Sequence, residues 1–149
     1  MIRVSVDSAP IELAVEVAAL DEPGAGGVAT FTGLVRADDG VTGLELEHYP
    51  GMTEQALIAL AETATERWSL LGVTMVHRVG AMEPGDRIVF IGTVAQHRRE
   101  ALDACAWLID RLKTDAPFWK RETRGETASW VEARASDAAA AARWDAPRG

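Results

Sequence analysis

The sequence predicts an α+β chain, a mostly antiparallel sheet carrying two main helices on one face. Three observations predict it. Several short stretches alternate apolar and polar residues, the period-two rhythm of half-buried strands. Two longer stretches repeat apolar residues at 3.6-residue spacing. Clusters of Gly, Pro and Asp separate neighbouring strand candidates by turns, which favours hairpins over parallel crossovers.

Taken in order, residues 2–6 alternate and read as a strand. Pro10 suits a first helical turn, and Ile11, Ala14, Val15, Val17 and Ala18 supply a short helical stripe. Residues 21–27, Asp-Glu-Pro-Gly-Ala-Gly-Gly, form a loop by their breakers. Their glycines lack the spacing and the following helix of a dinucleotide fingerprint. Residues 28–35 and 44–49 read as two strands joined through a polar loop at 36–43, as a hairpin. Pro50-Gly51 breaks the chain and Thr53 is the expected N-cap of a helix along Leu57, Leu60, Ala61, Ala64 and Trp68. Residues 73–79 alternate as a strand, Glu83-Pro84-Gly85-Asp86 turns, and residues 87–95 are apolar enough for a central strand. A second long helix is expected over residues 99–113 with Leu102, Cys105, Ile109 and Leu112 inward, stopped by Pro117. Short strands at 118–123 and 129–133 flank Gly125, and Ser136-Asp137 caps a last helix over 138–144.

At 149 residues and 48% hydrophobic content, one domain over residues 1–149 is expected, with a real core. The formal net charge of −8 argues against a surface built for nucleic acid or anionic membranes. The lone Cys105 excludes an internal disulfide and reads as a small core residue. No metal-site spacing is present. Residues 1–7 alternate and are too short for a signal peptide, and no apolar run approaches the roughly 20 residues of a membrane span. A cytoplasmic protein is expected.

Two lysines stand against thirteen arginines, and both fall in one stretch, Leu112-Lys113-Thr114-Asp115-Ala116-Pro117-Phe118-Trp119-Lys120-Arg121-Glu122. They are either surface lysines retained by chance or amines whose ability to release a proton is used, which arginine lacks. His97-Arg98-Arg99 lies where the central strand meets the second long helix, and Arg36 and Arg134 each end a strand. Each arginine alone reads as a solvated charge. Together these residues suit a small anionic ligand. Cations at a helix start oppose its dipole, and a phosphate held by the free N–H groups would resolve that conflict. His48, His77 and the tryptophans read as structural. Glu45 and Glu47 read as a solvated sheet face.

These motifs carry a resemblance. Thr30-Phe31-Thr32-Gly33-Leu34-Val35-Arg36, Leu46-Glu47-His48-Tyr49-Pro50-Gly51-Met52, His77-Arg78-Val79-Gly80, Glu83-Pro84-Gly85-Asp86, Gln96-His97-Arg98, the two-lysine stretch and Trp130-Val131-Glu132-Ala133-Arg134 follow one another in the chain. In that order they resemble the family of large, catalytic subunits of molybdopterin synthase. The resemblance implies a hammerhead-like fold with a small extra β subdomain. It also implies transfer of two sulfurs to cyclic pyranopterin monophosphate, forming the dithiolene of molybdopterin. The sulfur donor would be a small ubiquitin-like subunit bearing a C-terminal Gly-Gly thiocarboxylate. The chain would form a homodimer and a two-plus-two complex with that subunit. Lys113 and Lys120 would be catalytic. Arg36, His97, Arg98, Arg134 and Phe31 would bind substrate, some reaching across the dimer. No cofactor or metal is implied, since molybdenum is added later by other proteins. The 36–44 loop is shorter than usual in the family, and residues 124–126 diverge, so no role passes to Arg124. The alternatives are a non-catalytic relative that binds a pterin phosphate or a partner tail, and an unrelated lysine Schiff-base enzyme.

Overall fold

A computed structural model describes residues 1–131 and 140–145. Its strands are β1 (Ile2–Asp7), β2 (Gly27–Leu34), β3 (Gly43–His48), β4 (Gly72–Arg78), β5 (Gly80–Met82), β6 (Arg87–Ala95), β7 (Phe118–Arg124) and β8 (Thr127–Val131). The helices are α1 (Leu13–Ala18), α2 (Met52–Trp68) and α3 (Arg98–Asp115). Short turns lie at Asp38–Gly40 and Arg143–Asp145. The expected cap at Ser136-Asp137, the end of the strand expected over 129–133 and the start of the last helix lie outside the described residues.

The strands form two four-stranded sheets. The first runs β1-β4-β6-β2, antiparallel except for the parallel β1–β4 pair. The second runs β5-β3-β7-β8 and is antiparallel throughout. This is the expected α+β architecture with its extra β unit. The expected β2–β3 hairpin is not formed. β2 pairs with β6 along its full length, while β3 pairs with β5 and β7. Alternation shows which face a strand buries; it carries no information about its neighbour.

Period-two side chains sort the first sheet's two faces. Val73, Met75, Val89, Ile91 and Ala95 meet Leu57, Leu60, Ala61, Ala64, Ala104 and Leu108 of α2 and α3 in the main core. Val76, Phe90 and Val94 point the other way, into a smaller cluster with Ile11 and Leu20 around α1. The stripe expected on α1 is wrong. Val15 and Val17 are exposed, and Glu16 turns inward to an ion pair with Arg3 at 2.9 Å. Leu102 is likewise exposed rather than inward, because Ala101, Ala104, Cys105 and Leu108 form the buried stripe of α3. Cys105 is buried as expected, and burial pushes its thiol up to about 11, so it is inert at neutral pH. A Cβ on Gly26 would fall 2.0 Å from the Gln96 carbonyl oxygen, so the glycine loop lets β2 start against the entry to α3. No helix among the described residues is long and apolar enough to cross a membrane.

Thr53 is not the N-cap of α2. The chain reverses at Gly51, whose φ of +87° favours glycine, and the Glu54 side chain accepts the Gly51 N–H. Thr53 falls inside the first turn, fully buried, with its hydroxyl aimed at the interior.

Candidate active site

β7 carries Lys120, Glu122 and Arg124 at every second position, and so on one face. That face also presents Leu44 and Leu46, since Leu44 pairs with Glu122 and Leu46 with Lys120. Lys113 lies in the last turn of α3, two residues before the helix ends at Asp115. Arg36 follows β2, and its position is set by Val35, whose N–H donates to the Asp86 carbonyl at 2.9 Å and whose carbonyl accepts the Gly85 N–H at 2.8 Å. The Glu83-Pro84-Gly85-Asp86 turn thus anchors the residue next to Arg36.

These pieces meet in one cleft of about 130 Å³, lined by Arg36, Lys113, Lys120, Glu122 and Arg124, with Asp38, Asp39 and apolar Leu34, Val35, Val41, Leu44 and Ile88. Four cations face three carboxylates. Glu122 is buried and anchors two of the cations: Lys120 Nζ lies 3.5 Å from Oε1 and Arg124 Nη2 2.8 Å from Oε2. Arg124 Nε also donates to the Asp39 carbonyl at 2.9 Å, so the short loop after β2 is tied to β7. Arg36 Nε lies 3.2 Å from Asp38 and stays exposed. A small anion that displaces such a surface carboxylate would find guanidinium and ammonium donors converging on it.

The structure unites Lys113, Lys120 and Arg36 among the expected residues. Phe31 is partly exposed on β2 and does not line the cleft. His97 and Arg98 do not reach it either. His97 is the N-cap of α3 and Arg98 its first residue, and both are exposed. Fifteen residues of helix separate Arg98 from Lys113, roughly 22 Å of rise. His97 instead lines a second, open cleft of about 310 Å³ with Arg67, Trp68, Ser69, Gln96 and Glu100. Arg134 lies outside the described residues. Glu122 and Arg124 carry no role in the expectations drawn from the sequence. The period-two spacing 120, 122, 124 is the signal that places both beside Lys120.

His77, which reads as structural from its strand position, packs against the first residue of the strand that carries Lys120. Its ring stacks on Phe118 at 4.0 Å between centroids and 23° between planes, and its Nδ1 lies 2.8 Å from the Arg78 carbonyl. Burial pushes its pKa down to about 4, with the charges of Lys113 and His48 adding and the Arg78 hydrogen bond opposing. An unfolded imidazole titrates near 6.5, so between pH 6.5 and about 4 the unfolded chain binds the extra proton. Stability is therefore expected to fall as pH drops through this window, by about 3 kcal/mol from His77 alone. Denaturant midpoints at pH 7 and pH 4.5 check this: the gap between parent and His77→Gln should shrink at low pH. An unchanged gap would show that His77 protonates freely in the fold.

The chain is similar to known proteins over most of its length. Residues 6–115 match the family model described as MoaE protein. That span contains Lys113 and stops short of Lys120. The chain is 51% identical over 148 residues to the molybdopterin synthase catalytic subunit of Salmonella typhimurium, covering 95% of this chain and 97% of that one. It is 54% identical over 127 residues to the Escherichia coli protein of the same name, covering 83% of each. The solved structure of the molybdopterin biosynthesis MoaE protein from Burkholderia ambifaria superposes with a TM-score of 0.85 at 47% identity, covering 99% of this chain and 100% of that one.

Proposed function

Because the chain belongs to the MoaE family, whose curated relatives are molybdopterin synthase catalytic subunits, we propose that the Lys113–Lys120 cleft is where it builds the dithiolene of molybdopterin. The protein is then a sulfurtransferase of molybdenum cofactor biosynthesis, with residues 1–149 as one catalytic-subunit domain. The observation that carries the site assignment is the convergence of both lysines with Arg36 in one cleft.

The substrate is cyclic pyranopterin monophosphate, an anion, and the sulfur donor is the thiocarboxylate tail of a small ubiquitin-like subunit, also an anion. Arg36 and Arg124 are placed to hold negative groups by charge-assisted hydrogen bonds. Lys113 and Lys120 move protons while the carbon–sulfur bonds form: an ammonium protonates a departing oxygen, and a neutral amine takes a proton up. Glu122 holds Lys120 at the cleft wall.

His97 and Arg98 belong to this reading only through a second copy of the chain. One α3 cannot present both of its ends to one ligand, so a homodimer must bring the partner's helix start to the cleft. Arg134 and Phe31 are assigned to the same shared pocket. Trp119 and Trp130 support an assembled state. Both are about half exposed, on the outer face of the second sheet with Glu45 and Glu47, and exposed tryptophan is a frequent interface anchor. A homodimer alone and a two-plus-two complex with the small subunit are expected by sedimentation. A monomer at micromolar concentration, with or without the small subunit, would remove the shared pocket.

The direct test mixes the chain with thiocarboxylated small subunit and cyclic pyranopterin monophosphate and measures molybdopterin. Two sulfurs per pterin are expected. Pterin binding without conversion would instead identify a non-catalytic relative, and borohydride trapping of a lysine adduct without the small subunit would identify a Schiff-base enzyme.

A further inference from the structure

Lys113 lies in the last turn of α3 and Lys120 in the strand that follows, so their spacing depends on the short link through Ala116, Pro117 and Phe118. That link is gripped by two side chains from elements that carry neither lysine. Thr53, in the first turn of α2, is fully buried and donates its hydroxyl to the Pro117 carbonyl at 3.0 Å. The same hydroxyl oxygen accepts the Tyr49 N–H at 2.9 Å. One residue on, Phe118 lies flat on His77 of β4. A carbonyl can only accept, so the 2.8 Å contact from His77 Nδ1 to the Arg78 oxygen puts the hydrogen on Nδ1 and fixes the ring plane. The link is further tightened from within by Ala116 N–H to the Leu112 carbonyl and Phe118 N–H to the Ala116 carbonyl.

A fully buried hydroxyl is unfavourable unless its hydrogen bonds are used, and valine would fill the same space. Packing therefore does not explain Thr53, whereas its two bonds do. We propose that Thr53 and His77 are positioning residues for sulfur transfer, clamping the α3–β7 link so that Lys113 and Lys120 meet the cleft at one fixed spacing. This rests on the reading of those lysines as the reacting groups. Misplacing a reacting group by about 1 Å can slow a reaction about a hundredfold, so a clamp remote from the substrate acts on turnover rather than on binding.

Thr53→Val removes the hydroxyl at nearly constant volume, and Thr53→Ser keeps it. Each is assayed by molybdopterin formation, at a temperature where circular dichroism shows the variant fully folded. Thr53→Val is expected to lose about tenfold to a hundredfold in kcat, with KM for the pterin and for the small subunit within about threefold of the parent. Thr53→Ser should stay within about threefold in both. His77→Ala should show the same split as Thr53→Val. A second readout needs no turnover. The chain has only two lysines, so ¹³C reductive methylation labels each with its own resonance. At least one should be displaced in folded Thr53→Val and coincide with the parent in Thr53→Ser. Parent-like kcat in Thr53→Val, a loss that serine does not restore, or unmoved lysine resonances would overturn the clamp. Should Lys113→Ala and Lys120→Ala keep full turnover, the lysine reading fails, while the displaced resonances still report the clamp.

Discussion

Lys113→Ala is expected to lower dithiolene formation about 10²- to 10⁴-fold while leaving the fold intact, the range a positioned general acid or base contributes. Lys113 is exposed in the last turn of α3, so its truncation opens no cavity in the core. The more telling variant is Lys113→Arg. It keeps the positive charge and most of the reach, so a purely electrostatic role would survive it. A proton-transfer role would not, because a guanidinium does not give up its proton at working pH. Loss in both variants, measured by molybdopterin formation with thiocarboxylated small subunit, is the expected result. Near-normal turnover in Lys113→Arg would reduce the lysine to an anion holder.

Arg98→Ala should also be nearly inactive, and mixing it with Lys113→Ala should restore activity. The reason is geometric. Within one chain Arg98 and Lys113 sit at opposite ends of α3, roughly 22 Å apart along the axis. If a site takes its lysines from one protomer and Arg98 from the other, a mixed dimer has one intact site and one doubly damaged site. Random exchange then gives about a quarter of parental turnover from two inactive proteins. Absence of any recovery, in dimers shown to have exchanged, would show that Arg98 does not serve its partner's site, and full turnover of Arg98→Ala alone would place it outside the reaction. The same preparations offer a binding check. Free inorganic phosphate should bind the parent more tightly than Arg98→Ala if the helix start and its cations receive an anion.

Much of this protein is legible in its amino-acid sequence. The reading of α2 is correct because Leu57, Leu60, Ala61, Ala64 and Trp68 follow one helical face, and all are buried. That of β6 is correct because an apolar run with no polar face must be covered on both sides, and the two cores on either side of it do that. Local pattern fails where a residue's surroundings, not its spacing, decide its side. Glu16 turns inward because Arg3 waits on β1, and Leu102 stays out because alanines and Cys105 already fill the contact of α3 with the sheet.

The family, most of the elements and the choice of the two lysines as candidates follow from the order of residues along the chain. The first rests on ordered motifs, the second on periodicity, and the third on the chemistry of a residue used only twice. Three other features arise only when distant segments pack. β2 and β3 fall into different sheets, because strand pairing is a long-range choice that alternation does not encode. Arg36 comes to Lys120, Glu122 and Arg124 through the tie from Arg124 to the loop after β2. And His97 and Arg98 are kept from the lysines of their own chain, because a straight 18-residue helix holds its two ends apart whatever charges they carry.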